Sequence, residues 1–183
     1  MTTQKIRITA EELACLPSIV GRRELIDGEV VEISPAGGRH NQVLNSTAHY
    51  LTVYARMTRL GVVLAGDTGV ILGRNPDRVR APDVCLIAAE RLPGGRVPSG
   101  FLDLVPDLVV EVVSPGDTAA EVRSKREEWL HAGARLAWTI FPDTRTVVAA
   151  DGPSEPRFYH ENQMLPGEPV LPGFKVAVRD LFR

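Results

Sequence analysis

An ionised carboxylate inside an apolar, β-branched run is costly unless something compensates it, and Glu111 stands in such a run, Leu-Val-Val-Glu-Val-Val over 108–113. Alternation along an extended chain puts Val109, Glu111 and Val113 on one face and Leu108, Val110 and Val112 on the other, so Glu111 points at a definite neighbour. Further along, Lys125 shares a helical stripe with Val122, Trp129 and Ala132, while Glu121, Arg123, Glu127 and Glu128 fall off that stripe. From Ser114 back to Glu111 is a strand distance of ~10 Å. From Asp117 forward to Lys125 is a helical rise of ~12 Å. A helix returning over the strand it follows therefore brings the ammonium to the height of the carboxylate. Asp83 follows Pro82 at the entry to another apolar run, where proline favours an extended approach. If its strand neighbours that of Glu111, the two carboxylates approach to ~4–5 Å. Two anions that close call for a cation between them. A hard divalent ion, Mg2+ with Mn2+ as the alternative, suits two carboxylates, a backbone carbonyl and waters. Such an ion activates water and stabilises charge on a phosphate, and the lysine would position or help to deprotonate that water.

Plainer readings of the same residues are an exposed edge strand for Glu111 and, for Lys125, a stem lying over apolar surface with its head paired to Glu128 or Glu121.

The elements that must position these groups are readable in outline. Arg23 to Ile33 holds two short alternating runs around Asp27-Gly28, a dipeptide that accepts the positive φ values of a tight hairpin. Leu44, Ala48, Leu51 and Ala55 recur at helical spacing between Arg39 and Leu60, with Gly61 as the stop. The segments 61–66, 68–73 and 83–88 read as strands of an antiparallel meander, the last two joined by the turn-rich RNPDRVRAP. Residues 89–106, rich in Pro and Gly, form a connection that could flank a site. Asp107 to Val113 reads as a strand buried on both faces and 117–132 as a helix, capped by Asp117 or Thr118 and stopped by Gly133. A second hairpin, 134–141 and 146–150, turns at PDTR, and one or two short strands follow. The order predicts an α/β fold on a mixed central sheet flanked by helices, with an added N-terminal hairpin and C-terminal strands.

At 183 residues, 44% hydrophobic and 24% charged, the chain has the composition of one folded domain, expected to span 1–183, and not of a disordered one. No apolar stretch approaches a membrane span, which predicts no membrane partner and a cytoplasmic location. Cys15 and Cys85 lack the paired spacing of zinc or redox sites and read as core residues. A net charge of −2 provides no global field for nucleic acid. The positive charge is clumped, however, at Arg22 and Arg23, at Arg56 and Arg59, at Arg74, Arg78 and Arg80, and at Arg123, Lys125 and Arg126. Such clumps either line a local groove or are ordinary solvated surface.

Pro82-Asp83, Glu111-Val112-Val113 and Lys125, in that order, resemble the PD-(D/E)xK nuclease superfamily. ELIDGE (24–29), VVEVVSPGD (109–117), Lys125 and AGARLAW (132–138) resemble the Uma-type restriction endonuclease family, and the resemblance runs from about Arg23 to the closing LPGFKVAVRDLF. It implies a restriction-endonuclease-like fold with its core at about 23–141, Asp83 and Glu111 as metal ligands, the Val112 carbonyl as a further ligand, and Lys125 as the catalytic lysine. The superfamily pattern has lysine where this chain has Val113, so Lys125 would be its migrated replacement. Glu24 and His40 match family positions and would support the site. Glu24, Glu29 and Glu32 are equally well explained as hairpin charges, and His40 as a cap or surface residue. His49, His131 and His160 lack ligand spacing.

The leading expectation is a magnesium-dependent endonuclease that cuts phosphodiesters of DNA, working as a homodimer because two-strand cutting suits a two-fold assembly. A non-catalytic nucleic-acid-binding or regulatory protein is the alternative, motivated by Val113. A third is an interaction domain in which Glu111 and Lys125 form only a buried ion pair.

Overall fold

The structure, a computed structural model, describes residues 7–17, 19, 21–152 and 154–183. Its first strand pair, β1 (Arg22–Ile26) and β2 (Glu29–Ile33), is the expected hairpin. Asp27 and Gly28 adopt φ of 52° and 80°, the left-handed values that a two-residue turn demands. A short helix α1 (Ala10–Ala14), which has too few residues for a periodic signal, precedes the hairpin and carries a capping box between Thr9 and Glu12. Cys15 ends α1 and is exposed, which corrects its assignment to the core; Cys85 is buried as expected.

Helix α2 (Gly38–Thr58) buries His40, Val43, Thr47, Leu51 and Ala55. The predicted Leu44 and Ala48 are only half-buried, so the helix is rotated by about one residue toward Val43 and Thr47 over its first half. It stops at Arg59 in the left-handed conformation, not at Gly61. Gly61 instead opens β3 (Gly61–Ala65), where a Cβ would overlap the Ile87 carbonyl.

The predicted meander does not form. After β3 come β4 (Val70–Gly73), β5 (Arg78–Arg80) and β6 (Val84–Ala88). β3 pairs with β6, while β4 and β5 leave for a separate sheet of order β2-β1-β5-β4. The reason is a second apolar core. Leu25 of β1 lies opposite Val79 of β5, both buried, and these pack with Ala10 and Leu13 of α1. The turn-rich connection therefore contains a strand that bridges the hairpin to the rest.

β7 (Leu108–Val112), α3 (Ala119–Ala132) and β8 (Leu136–Phe141) form a strand–helix–strand unit with β7 and β8 parallel. Thr118 supplies the capping box of α3 with Glu121, and Gly133 at φ 116° ends it. Asp117, the other predicted cap, instead accepts a hydrogen bond from the Ser114 amide. With β9 (Thr146–Ala150) and β10 (Arg157–His160) the central sheet runs β10-β9-β8-β7-β6-β3. Its two faces carry different cores: Leu108, Val110 and Val112 join α2, whereas Val109 joins Trp129 of α3. The chain closes with a two-stranded ladder, β11 (Met164–Pro166) and β12 (Lys175–Ala177). Among the described residues no helix is long and apolar enough to cross a membrane.

Candidate active site

The antiparallel register of β6 and β7, Val84 opposite Val110, extends by one step to set Asp83 beside Glu111. The Val112 amide donates to Asp83 Oδ2 at 2.7 Å. In an extended strand a residue's N–H and C=O project to the same side, so the Val112 carbonyl also projects to the β6 side of β7. Glu111 lies on the α3 face of the sheet. Its Oε1 accepts from Trp129 Nε1 at 2.8 Å and its Oε2 meets Lys125 Nζ at 2.8 Å. Trp129 and Lys125 are one helical turn apart, so a single face of α3 grips both oxygens of one carboxylate. Glu121 serves the capping box and Glu128 binds Arg78 and Arg80, so neither takes the lysine.

A second layer backs these groups. Glu24 on β1 is 1% exposed; it accepts from Arg80 Nη1 at 2.6 Å and from the Ala81 amide at 3.2 Å, and Lys125 Nζ is 3.9 Å away. Burial separates Glu24 from Glu32, which is exposed and pairs with Arg23. His40, in the first turn of α2, is buried with Nε2 3.2 Å from Asp83 Oδ2. Arg22 reaches Asp83 Oδ1 from the other side, with Nη1 at 3.3 Å. Arg22, His40, Asp83, Glu111, Ser114 and Lys125 are among the residues that wall a cavity of ≈ 140 Å³.

The electrostatics follow from this crowding. Burial pushes the Asp83 carboxyl up, but the contacts with His40, the Val112 amide and Arg22 outweigh it and hold Asp83 below the ordinary aspartate range. Burial pushes Glu111 up despite the ammonium beside it. Burial also opposes the Lys125 charge, yet Glu111 and Glu24 together keep that lysine above its usual value, so it is protonated at neutral pH. The Asp83 hydrogen bond raises His40.

Asp83, Glu111 and Lys125 thus converge as the spacing argument required, and Glu24, His40 and Val112 join them. Arg22 and Trp129 were missed as members of the cluster. Arg22 sits two residues before Glu24, hence on the same strand face, a signal that could have found it. Val113, where lysine was expected, shares the face of Glu111 and lines the cavity, and the cationic group arrives from α3 instead. Among the described residues no three His, Cys, Asp or Glu side chains form a ready-made cation cage. Besides carboxylate and carbonyl oxygens, the cavity is lined by the His40 imidazole and by Ser114 and Thr139, and the oxygen donors among these fit a hard divalent ion completing its shell with water.

A mixed sheet flanked by helices, with acids and a lysine meeting above its central strands, is a nuclease-like architecture. A crystal structure of a putative nuclease belonging to DUF820 from Anabaena variabilis ATCC 29413 superposes with a TM-score of 0.81, covering 96% of this chain and 97% of that one at 21% identity, a likeness of fold. The chain belongs to the Uma2 family, described as "Putative restriction endonuclease", which matches residues 10–179. No relative matches among proteins of curated function.

Proposed function

We propose that this protein is a divalent-metal-dependent endonuclease that hydrolyses phosphodiester bonds, with DNA as substrate and Mg2+ or Mn2+ as its ion. The carrying observation is the Lys125 contact with Glu111, which supplies from a helix the cation absent at Val113. Asp83, Glu111 and the Val112 carbonyl would hold the ion, which supplies water activation and charge neutralisation at the phosphate.

The chain's own groups have separable tasks. Trp129 fixes one Glu111 oxygen and leaves the carboxylate a single orientation. Lys125, held protonated, acts as a donor: its remaining N–H groups can orient the attacking water and face the charge that grows on the phosphate. This favours positioning and charge stabilisation over proton abstraction by the lysine. His40 and the Val112 amide orient Asp83. Glu24 acts through Lys125 as a positioning residue.

Cleavage of supercoiled plasmid during Mg2+ and Mn2+ titration, with Asp83→Ala and Lys125→Ala beside the parent, tests the proposal. Parent cutting that both substitutions lower by at least about 10²-fold supports it. Ion binding without cutting in the parent favours the non-catalytic nucleic-acid-binding protein, and no ion binding leaves a structural ion pair. Single-stranded DNA and RNA arms define the substrate. Sedimentation with and without DNA checks the expected homodimer.

A further inference from the structure

Arg22 runs from the start of β1 into the cluster and is 16% exposed. The two oxygens of its partner are engaged differently. Asp83 Oδ2 accepts the Val112 amide and faces His40, whereas Oδ1 meets the Arg22 guanidinium. The second guanidinium nitrogen lies 3.9 Å from Glu24 Oε1. Arg22 Nε is buried with no hydrogen-bond partner among the described residues, so charge and not complete hydrogen bonding selects this pose. Burial works against the guanidinium, but Asp83, Glu111 and Glu24 outweigh it and raise its pKa.

Charge counting sharpens the point. Glu24, Asp83 and Glu111 already face Arg22, Arg80 and Lys125, with His40 also on Asp83 and Arg80 shared with Glu128. A divalent ion arriving on Asp83 Oδ1 would meet a guanidinium on the same oxygen. Arg22 has room to withdraw, because with His40, Asn41, Asn45 and Ser114 it also walls an adjoining lobe of ≈ 500 Å³.

Building on the metal-dependent reading above, we infer that Arg22 is a resident counter-cation: it holds Asp83 and Glu24 together in the metal-free protein and must leave Asp83 Oδ1 for the divalent ion to bind. Arg22 then opposes ion binding while stabilising the carboxylates it pairs with, a combination that a purely structural arginine would not show.

Calorimetric titration of Mn2+ without nucleic acid, on the parent, Arg22→Gln and Arg22→Lys, reads this directly. Arg22→Gln is expected to bind Mn2+ about tenfold more tightly than the parent, a change of about 1.4 kcal/mol, and to melt lower in EDTA with a larger rise in Tm on adding Mn2+. Arg22→Lys, whose compact ammonium cannot span both carboxylates, should tighten binding by a few-fold. A folded Arg22→Gln with unchanged or weaker Mn2+ affinity overturns the inference, even if its Tm in EDTA falls. Should Arg22→Gln fail to fold, unchanged affinity in Arg22→Lys overturns it. Mn2+ binding by the parent with no gain in either variant sinks this inference alone; no Mn2+ binding by any of the three sinks the metal-dependent reading and this one with it.

Discussion

At the scale of single residues, the contact between Glu111 and Lys125 is a pair in which each partner offsets the other's cost of burial. Removing one leaves the other unpaired, whereas removing both leaves a site that can relax. A double-mutant cycle with Glu111→Gln and Lys125→Met, followed by urea unfolding in EDTA at neutral pH, should give a favourable coupling of about 1–3 kcal/mol. Additive effects would show that the contact carries no stability. The two thiols offer a second check. Burial pushes Cys85 up to about 12, so it carries almost no thiolate at pH 8, whereas Cys15 is exposed. Ellman's reagent at pH 8 should therefore titrate one thiol in the native protein and two in denaturant. Rapid native reaction of both would contradict the buried placement.

At the scale of elements, α3 carries both groups that grip Glu111, and its start is fixed by the Thr118–Glu121 capping box. Thr118→Ala should cost about 1 kcal/mol in urea unfolding. It should leave cleavage within a few-fold of the parent, because Lys125 lies more than a turn beyond the cap. A collapse of activity at unchanged stability would mean that the cap itself belongs to the site. α1 is anchored differently, through the Ala10 amide, which donates to Asp77 Oδ2 at 2.9 Å. That bond, together with the Asn75 amide and Arg74, depresses the Asp77 carboxyl below its ordinary value. A depressed carboxylate contributes stability that is fully present above its unfolded pKa of about 3.9 and is lost as pH falls through the lower folded value. The urea midpoint of the parent should exceed that of Asp77→Asn at pH 6, and the gap should close below about pH 4. A gap independent of pH would assign the effect to packing alone.

At the scale of the whole molecule, the site lies where two sheets and two helices meet. β1 brings Arg22 and Glu24, β6 and β7 flank Asp83 and bring Glu111, α2 brings His40 and α3 brings Lys125. Much of the clumped positive charge is spent inside the molecule: Arg78 and Arg80 bind Glu128, Arg74 binds Asp77, Arg23 binds Glu32 and Arg123 binds Glu127. Of the clumped cations, Arg56, Arg59 and Arg126 keep no ion-pair partner among the described residues, a small set to release counterions from a duplex. Anisotropy with labelled DNA and the Lys125→Met protein should thus show affinity falling only about tenfold between 50 and 200 mM salt, against the 10³–10⁵ of proteins that contact many phosphates. A much steeper fall would reveal a phosphate-binding face that these ion pairs do not predict.

Local chemistry decided a large part of this in the sequence itself. The Asp27-Gly28 turn, the strand over 108–112, the helix ending at Gly133 and the hairpin at PDTR follow from φ preferences, burial and periodicity within a few residues. The convergence of Glu111 with Lys125 was legible for the same reason, since one strand, one turn and one helix set the distance between them. Tertiary structure alone decided which strands outside the two hairpins pair. The departure of β4 and β5 into a second sheet depends on Leu25 meeting Val79 and α1, contacts between segments far apart in the chain. Arg22 and Glu24 enter the cluster only because of that sheet, and burial sets Glu24 apart from Glu32, which in the sequence only its match to a family position had done. A carboxylate's local neighbours state the cost of burying it; the cation that meets that cost is chosen by packing across the whole chain.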